Sequence, residues 1–265
     1  MSESLAEMFP TDGRWTRPQL KLAFHFYCQT PFGQFHSLNP KVQALAALIG
    51  RTPSALAMKL GNLASLDPDM GGRGLGNASQ LDRQVWDDFH EDWNGLEAEC
   101  DQLKTLLLAS HPAVPDPLPA AVDLPLDFTG ETRRVMVEQR RRQGFFRRAV
   151  LGGYHARCCI SGLSDERLLV ASHIVAWGED KANRLNPRNG LCLSALHDRA
   201  FDTHLLTIDP DLRVLVSDRL LGLDGGLAAT AFAQVHGKPI TLPERFHPDP
   251  KFLAHHRERF QQKAA

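Results

Sequence analysis

The chain has 265 residues, of which 43% are hydrophobic and 23% charged, with a formal net charge of -1. That describes a soluble globular protein with enough material for one large domain or two smaller ones. No apolar run approaches the length of a membrane span, and the opening MSESLAEMFPTDGR lacks the basic-then-apolar order of a signal peptide, so a cytoplasmic protein is expected. Cys28, Cys100, Cys158, Cys159 and Cys192 are an odd number at irregular spacing, as suits free thiols in a reducing compartment. The near-zero net charge does not advertise a polyanionic partner, but it conceals how the arginines are distributed.

Residues 1–110 read as a helical domain. Thr16 caps and Pro18 opens a helix over Thr16 to Gln29, with Leu20, Ala23, Phe24 and Tyr27 on one face. A second helix runs from Pro40 to Gly50, packing Val42, Leu45, Ala46 and Ile49, with Gly50 as its stop. Thr52 and Pro53 start a third, which offers Leu56, Met58, Leu60 and Leu63 to a core. Two helices joined by a short glycine-bearing turn make a helix-turn-helix pattern. On its second helix, Arg51, Ser54, Lys59 and Asn62 stand where phosphates or base edges would be met. The competing reading is a scaffold or a homodimer surface.

Glycines 71, 72, 74 and 76 surround Arg73 in a loop, and Trp86 to Ser110 is expected to be helical. Residues 111–130 hold five prolines and almost no charge, which marks a linker. Residues 131–265 then open on the basic stretch that the net charge hides. Arg133, Arg134, Arg140, Arg141, Arg142, Arg147 and Arg148 stand there against Glu131 and Glu138. Arginine's planar fork donates paired hydrogen bonds to phosphate, so Arg140, Arg141, Arg142, Arg147 and Arg148 are candidate DNA-backbone contacts.

LLVASHIV (Leu168 to Val175) is apolar with no helical period and reads as a strand holding His173 on a rigid backbone. Trp177 to Gly190 is a loop closing at Asn189-Gly190. In LCLSALHDRAF, residues Leu193, Leu196, His197, Ala200 and Phe201 have helical spacing, so His197 projects from a helix. DLRVLVSD is expected to pair with LLTID as a hairpin. The remainder reads as peripheral, ending in a short helix from Pro250.

The order His173, Asn189, His197, with SHI, NGL and LHDRAFD around them, resembles the HNH endonucleases. The Tyr154, Cys158, Ser161, Gly162 opening fits the restriction-endonuclease branch. The resemblance implies an α+β chain, in which a helical, helix-turn-helix-like domain precedes a ββα-metal nuclease domain that hydrolyses DNA, in restriction or defence. It implies His173 as general base, His197 as metal ligand, and Asn189 as a residue that shapes the loop or assists the metal. Mg²⁺ is the expected cation, with Mn²⁺ or Ni²⁺ as substitutes. Many members carry an acidic residue or histidine just before the base, where this chain has Ser172. The second ligand is then Asn189, Asp202 or Ser172, unless Asp202 instead hydrogen-bonds the His197 ring. The two Cys-x-x-Cys pairs that brace many members with zinc are missing, so structural zinc is not expected, and Cys158 and Cys192 read as small buried hydrophobes. A DNA-binding regulator built on a silent HNH-like scaffold is the alternative.

Overall fold

A computed structural model of the chain describes residues 4–119 and 131–264, with 131–140 and 264 as backbone only. It divides into two compact units, Met1–Arg148 and Ala149–Ala265. The linker read at 111–130 is described only as far as 119, where Leu118 is buried and Lys104 pairs with Asp116 at 3.1 Å. Its remainder lies outside the described residues.

The first unit is helical. After a short α1 (Leu5–Met8), α2 (Arg17–Gln29) starts at a capping box in which Thr16 and Gln19 satisfy each other's backbone amides. The next two helices are α3 (Pro40–Leu48) and α4 (Pro53–Ala64). Gly50, at φ +69°, ends α3 in a left-handed turn in which the Arg51 amide donates to the Ala46 carbonyl at 2.8 Å. This is the glycine-dependent stop expected at that position. Thr52 caps α4 by accepting from the Ala55 amide.

The stretch expected to be one helix from Trp86 is two, α5 (Gln80–Glu91) and α6 (Trp93–Ser110). Asp92 separates them because its non-helical backbone leaves α5 while its carboxylate accepts from the Gly95 amide, which starts α6. An aromatic core built on Phe24 holds α2 against these helices. Its ring meets Phe89 at 4.6 Å and Trp86 at 5.0 Å. Arg73 folds back over the Phe32 ring, and Gly74 lies so close to Ser65 and Gly61 that a Cβ there would meet backbone at 2.6 Å. The glycine-rich segment is an exposed turn in which Gly74 alone of the four glycines lies close against other backbone.

Helix α7 (Glu131–Gly153) has residues in both units. The second unit then builds a ββα arrangement: β1 (Leu169–His173), β2 (Gly190–Ser194) and α8 (Ala195–Asp202). The strands are antiparallel, with His173 opposite Gly190 and Leu169 opposite Ser194. The helical spacing read from Leu193 onward is overturned for its first residues, since Gly190–Ser194 is a strand buried at every position. A strand covered on both faces has no alternation to reveal it. Helix α8 begins only where the Ser194 side chain accepts from the His197 amide.

Strands β3 (Leu206–Ile208) and β4 (Val214–Val216) form the expected hairpin. Two short segments, α9 (Asp218–Leu221) and α10 (Gly226–Ala228), lead into a π-helical turn at Ala229–Ala233. The final helix, α11 (Pro250–Ala264), is not peripheral. It is fixed to this core through Leu253 and His256, both 2% exposed. The His256 ring stacks on Phe201 with centroids 3.6 Å apart.

Candidate active site

His173 ends β1, where its ring Nε2 lies 2.9 Å from the Arg184 carbonyl and its edge meets the Trp177 ring. A carbonyl only accepts, so Nε2 carries the proton and Nδ1 is the basic nitrogen of the neutral ring. Burial pulls the ring below the usual histidine range, against the opposing effect of the Arg184 carbonyl. It is therefore neutral at pH 7 and competent to take a proton. Arg184 is itself fixed, donating to the Trp177 carbonyl at 2.7 Å with its guanidinium over that ring.

Asn189 is fully buried. Its Oδ1 accepts from the Val175 amide at 2.8 Å, and its Nδ2 donates to the carbonyls of Val175 and Asn183. Both ends of the amide are thus committed to clasping the loop that leaves His173. That arrangement fits the loop-shaping role expected of Asn189.

His197 departs further from the role implied for it. It is 3% exposed, with Nε2 2.9 Å from the Ala231 carbonyl, and Nδ1 3.0 Å from Ser194 Oγ and 3.6 Å from Cys158 Sγ. Both ring nitrogens thus meet protein atoms. Nor is Cys158 only a small hydrophobe: burial pushes its thiol up, but the His197 ring and Ser161 outweigh this and bring it down to about 6. The same contact and the Ala231 carbonyl raise His197 in spite of its burial.

Helix α8 carries two carboxylates one turn apart, Asp198 and Asp202, and Asp202 shares a cleft with His173. Asp198 is raised by burial, with the Ser172 hydroxyl and Arg199 pulling the other way. Asp202 is raised by burial and by the charge of Asp198. Asp202 also lines a cleft with His173, Glu179, His204, His255 and Arg259. Among the described residues no three His, Cys, Asp or Glu side chains converge as a metal cage. A pair of mutually repelling carboxylates nonetheless suits Mg²⁺, which is held through one or two carboxylates with water and substrate phosphate completing its shell. The chemistry of Asp198 and Asp202 fits such an ion. Asp198 was missed in the sequence, although Asp-x-x-x-Asp on a helix is itself a signal that both carboxylates share a face.

The expected DNA contacts of the first unit are differently placed. Lys59 is buried, its ammonium 2.9 Å from the fully buried Asp82, and it does not face outward. Arg51 lies over Trp15 at 4.5 Å and donates to the Arg14 carbonyl and to Gln19. Asn62 is half-buried, and Ser54 is exposed. In α7, Arg141 pairs with Asp101 at 2.7 Å and Arg148 donates to Gln29 at 2.7 Å, both within the first unit. The rings of Phe145 and His25 stack beside them. Arg142 and Arg147 are half-buried, and the side chain of Arg140 lies outside the described residues.

Among the described residues, no helix is long and apolar enough to cross a membrane. No curated protein matches the chain. The family model described as HNH endonuclease matches residues 158–209, which span β1 with His173, the loop to Asn189, β2, α8 and β3. This segment of the chain belongs to the HNH endonuclease family.

Proposed function

We propose that the protein is a metal-dependent DNA endonuclease that uses His173 as its general base, in restriction of or defence against foreign DNA. The observation that carries this reading is the pairing of a neutral, oriented His173 with Asp202 across one cleft. His173 Nδ1 takes the proton of the attacking water, while the Arg184 carbonyl holds the ring and stabilises the imidazolium that forms. Asn189 keeps the loop closed around that geometry. Asp198 and Asp202 would hold the divalent cation, which would neutralise charge on the phosphate and the leaving oxygen. The helical unit acts as the DNA-recognition module, and Ser54 is the exposed candidate on α4.

The test is nicking of plasmid DNA by the purified chain in Mg²⁺, Mn²⁺ and Ni²⁺, with His173→Ala beside it. Loss of cleavage by about 10²- to 10⁴-fold with DNA affinity retained is expected of a general base. A variant that cuts at the wild-type rate under single-turnover conditions refutes the assignment. The rival reading is a DNA-binding regulator on a silent scaffold, favoured by the enclosure of both His197 nitrogens. Binding without cleavage in all three cations would establish it.

A further inference from the structure

We infer that α11 is the phosphate-binding wall of the cleft that holds His173, with Glu179 occupying that wall as an internal anion when nucleic acid is absent. The inference rests on the nuclease reading and extends it to residues beyond the matched segment.

His255, Arg259 and Lys263 recur at four-residue spacing on α11, which brings them to one face of the helix. The neighbouring face carries Leu253 and His256, which anchor the helix. The Thr207 hydroxyl meets His256 Nδ1 at 2.8 Å, and the Phe201 carbonyl meets its Nε2 at 3.0 Å. The face bearing His255, Arg259 and Lys263 is therefore fixed against the ββα core. His255 and Arg259 line the cleft opposite His173 and Asp202. Lys263 lines the adjoining cleft with His204 and Arg219, against the single carboxylate of Asp218. Together they make a track of nitrogen donors, two of them the cations Arg259 and Lys263, leading away from His173.

Glu179 shows what the track is shaped to hold. It comes from the loop between His173 and Asn189, and its two carboxylate oxygens lie 3.1 Å from His255 Nε2 and 3.3 Å from Arg259 Nη2. Two oxygens of one anion thus bridge two donors one helical turn apart, as two non-bridging oxygens of a phosphodiester would. The side chains of Glu179 and Arg259 are each 46% exposed, and ion pairs so open to water are weak. A phosphate offers Arg259 the same paired acceptors and leaves the Glu179 carboxylate free to turn into solvent.

The test uses the full chain, a 20-base-pair duplex and EDTA, so that binding is read without cleavage, by fluorescence anisotropy across a salt series. Arg259→Ala/Lys263→Ala should weaken binding about tenfold at 0.15 M salt and flatten the log-log salt slope by about two, one for each lost phosphate contact. Glu179→Gln should tighten binding several-fold, and because it removes a competing anion it cannot be mistaken for a folding defect. Wild-type slope and affinity in the double variant, or no tightening in Glu179→Gln, would overturn the assignment of α11 alone if the wild-type chain binds and cuts DNA. A wild-type chain that neither binds nor cuts overturns the nuclease reading and this inference with it.

Discussion

At the scale of single residues, the site turns on a one-position difference along α8. Successive residues of a helix project about 100° apart, so His197 and its neighbour Asp198 face different surroundings. The histidine turns to Ser194, Cys158 and the Ala231 carbonyl, whereas burial raises the Asp198 carboxyl. If this division of labour holds, His197→Ala will act on stability. It leaves the Ala231 carbonyl without its ring donor at a cost of about 1–3 kcal/mol, while cleavage per folded molecule falls less than tenfold. Asp198→Ala and Asp202→Ala should each lose cleavage at least a hundredfold at limiting Mg²⁺, with part of it recovered as the cation is raised. Thermal melts beside single-turnover rates separate the two kinds of loss. His197→Ala that folds normally yet no longer cuts would return the metal-ligand role to the histidine.

At the scale of elements, what was legible in the sequence is what is decided locally. Thr16, Thr52 and Pro53 mark helix starts because caps act within three residues, and Gly50 marks a stop because only its own backbone must turn left-handed. The strand bearing His173 and the β3–β4 hairpin were equally readable. Strand β2 was not, since burial on both faces erased its period. Nor was the fate of Lys59, which depends on Asp82, a partner 23 residues away. That pair carries its own prediction. Asp82→Ala leaves a buried ammonium uncompensated and should cost about 3–5 kcal/mol in the first unit, whereas Lys59→Met with Asp82→Leu should recover most of the loss. Denaturant midpoints of the three variants are the measurement, and an Asp82→Ala variant as stable as wild type would mean that the pair is solvated. The arginines of α7 illustrate the same limit. Their number suggested a phosphate-binding face; in the structure Arg141 pairs with Asp101 and Arg148 donates to Gln29. Replacing both with alanine should lower the melting temperature of the first unit and change the DNA-binding salt slope by less than one.

At the scale of the whole molecule, the two units carry buried titrating groups of opposite sign in their pH response. In the first, burial and the charge of Asp101 push Glu97, 4% exposed, up to about 7. A carboxyl raised above its unfolded value favours folding most when protonated, so this contribution is complete below about pH 4.5 and is lost as pH rises through 7, by up to about 3 kcal/mol. In the second, burial holds the His256 ring down at about 3, with the nearby charges of His204, His255 and Arg257 acting in the same direction and the Phe201 carbonyl opposing them. A histidine kept neutral by the fold contributes stability that is complete above about pH 6.5 and fades as pH falls toward 3, on the order of 3–5 kcal/mol. Between pH 5 and 7 the first unit should therefore become less stable as pH rises and the second more stable. Hydrogen exchange followed by mass spectrometry resolves the units separately, through peptides of α2 and α6 on one side and of β3 and α11 on the other. Other carboxylates titrate in the same window, so the decisive comparison is with single variants. Glu97→Gln should abolish the pH trend in α2 and α6 peptides while leaving β3 and α11 unchanged, and His256→Gln should do the reverse. Parallel pH trends in both units, unaffected by either substitution, would show that stability is governed by groups other than these two.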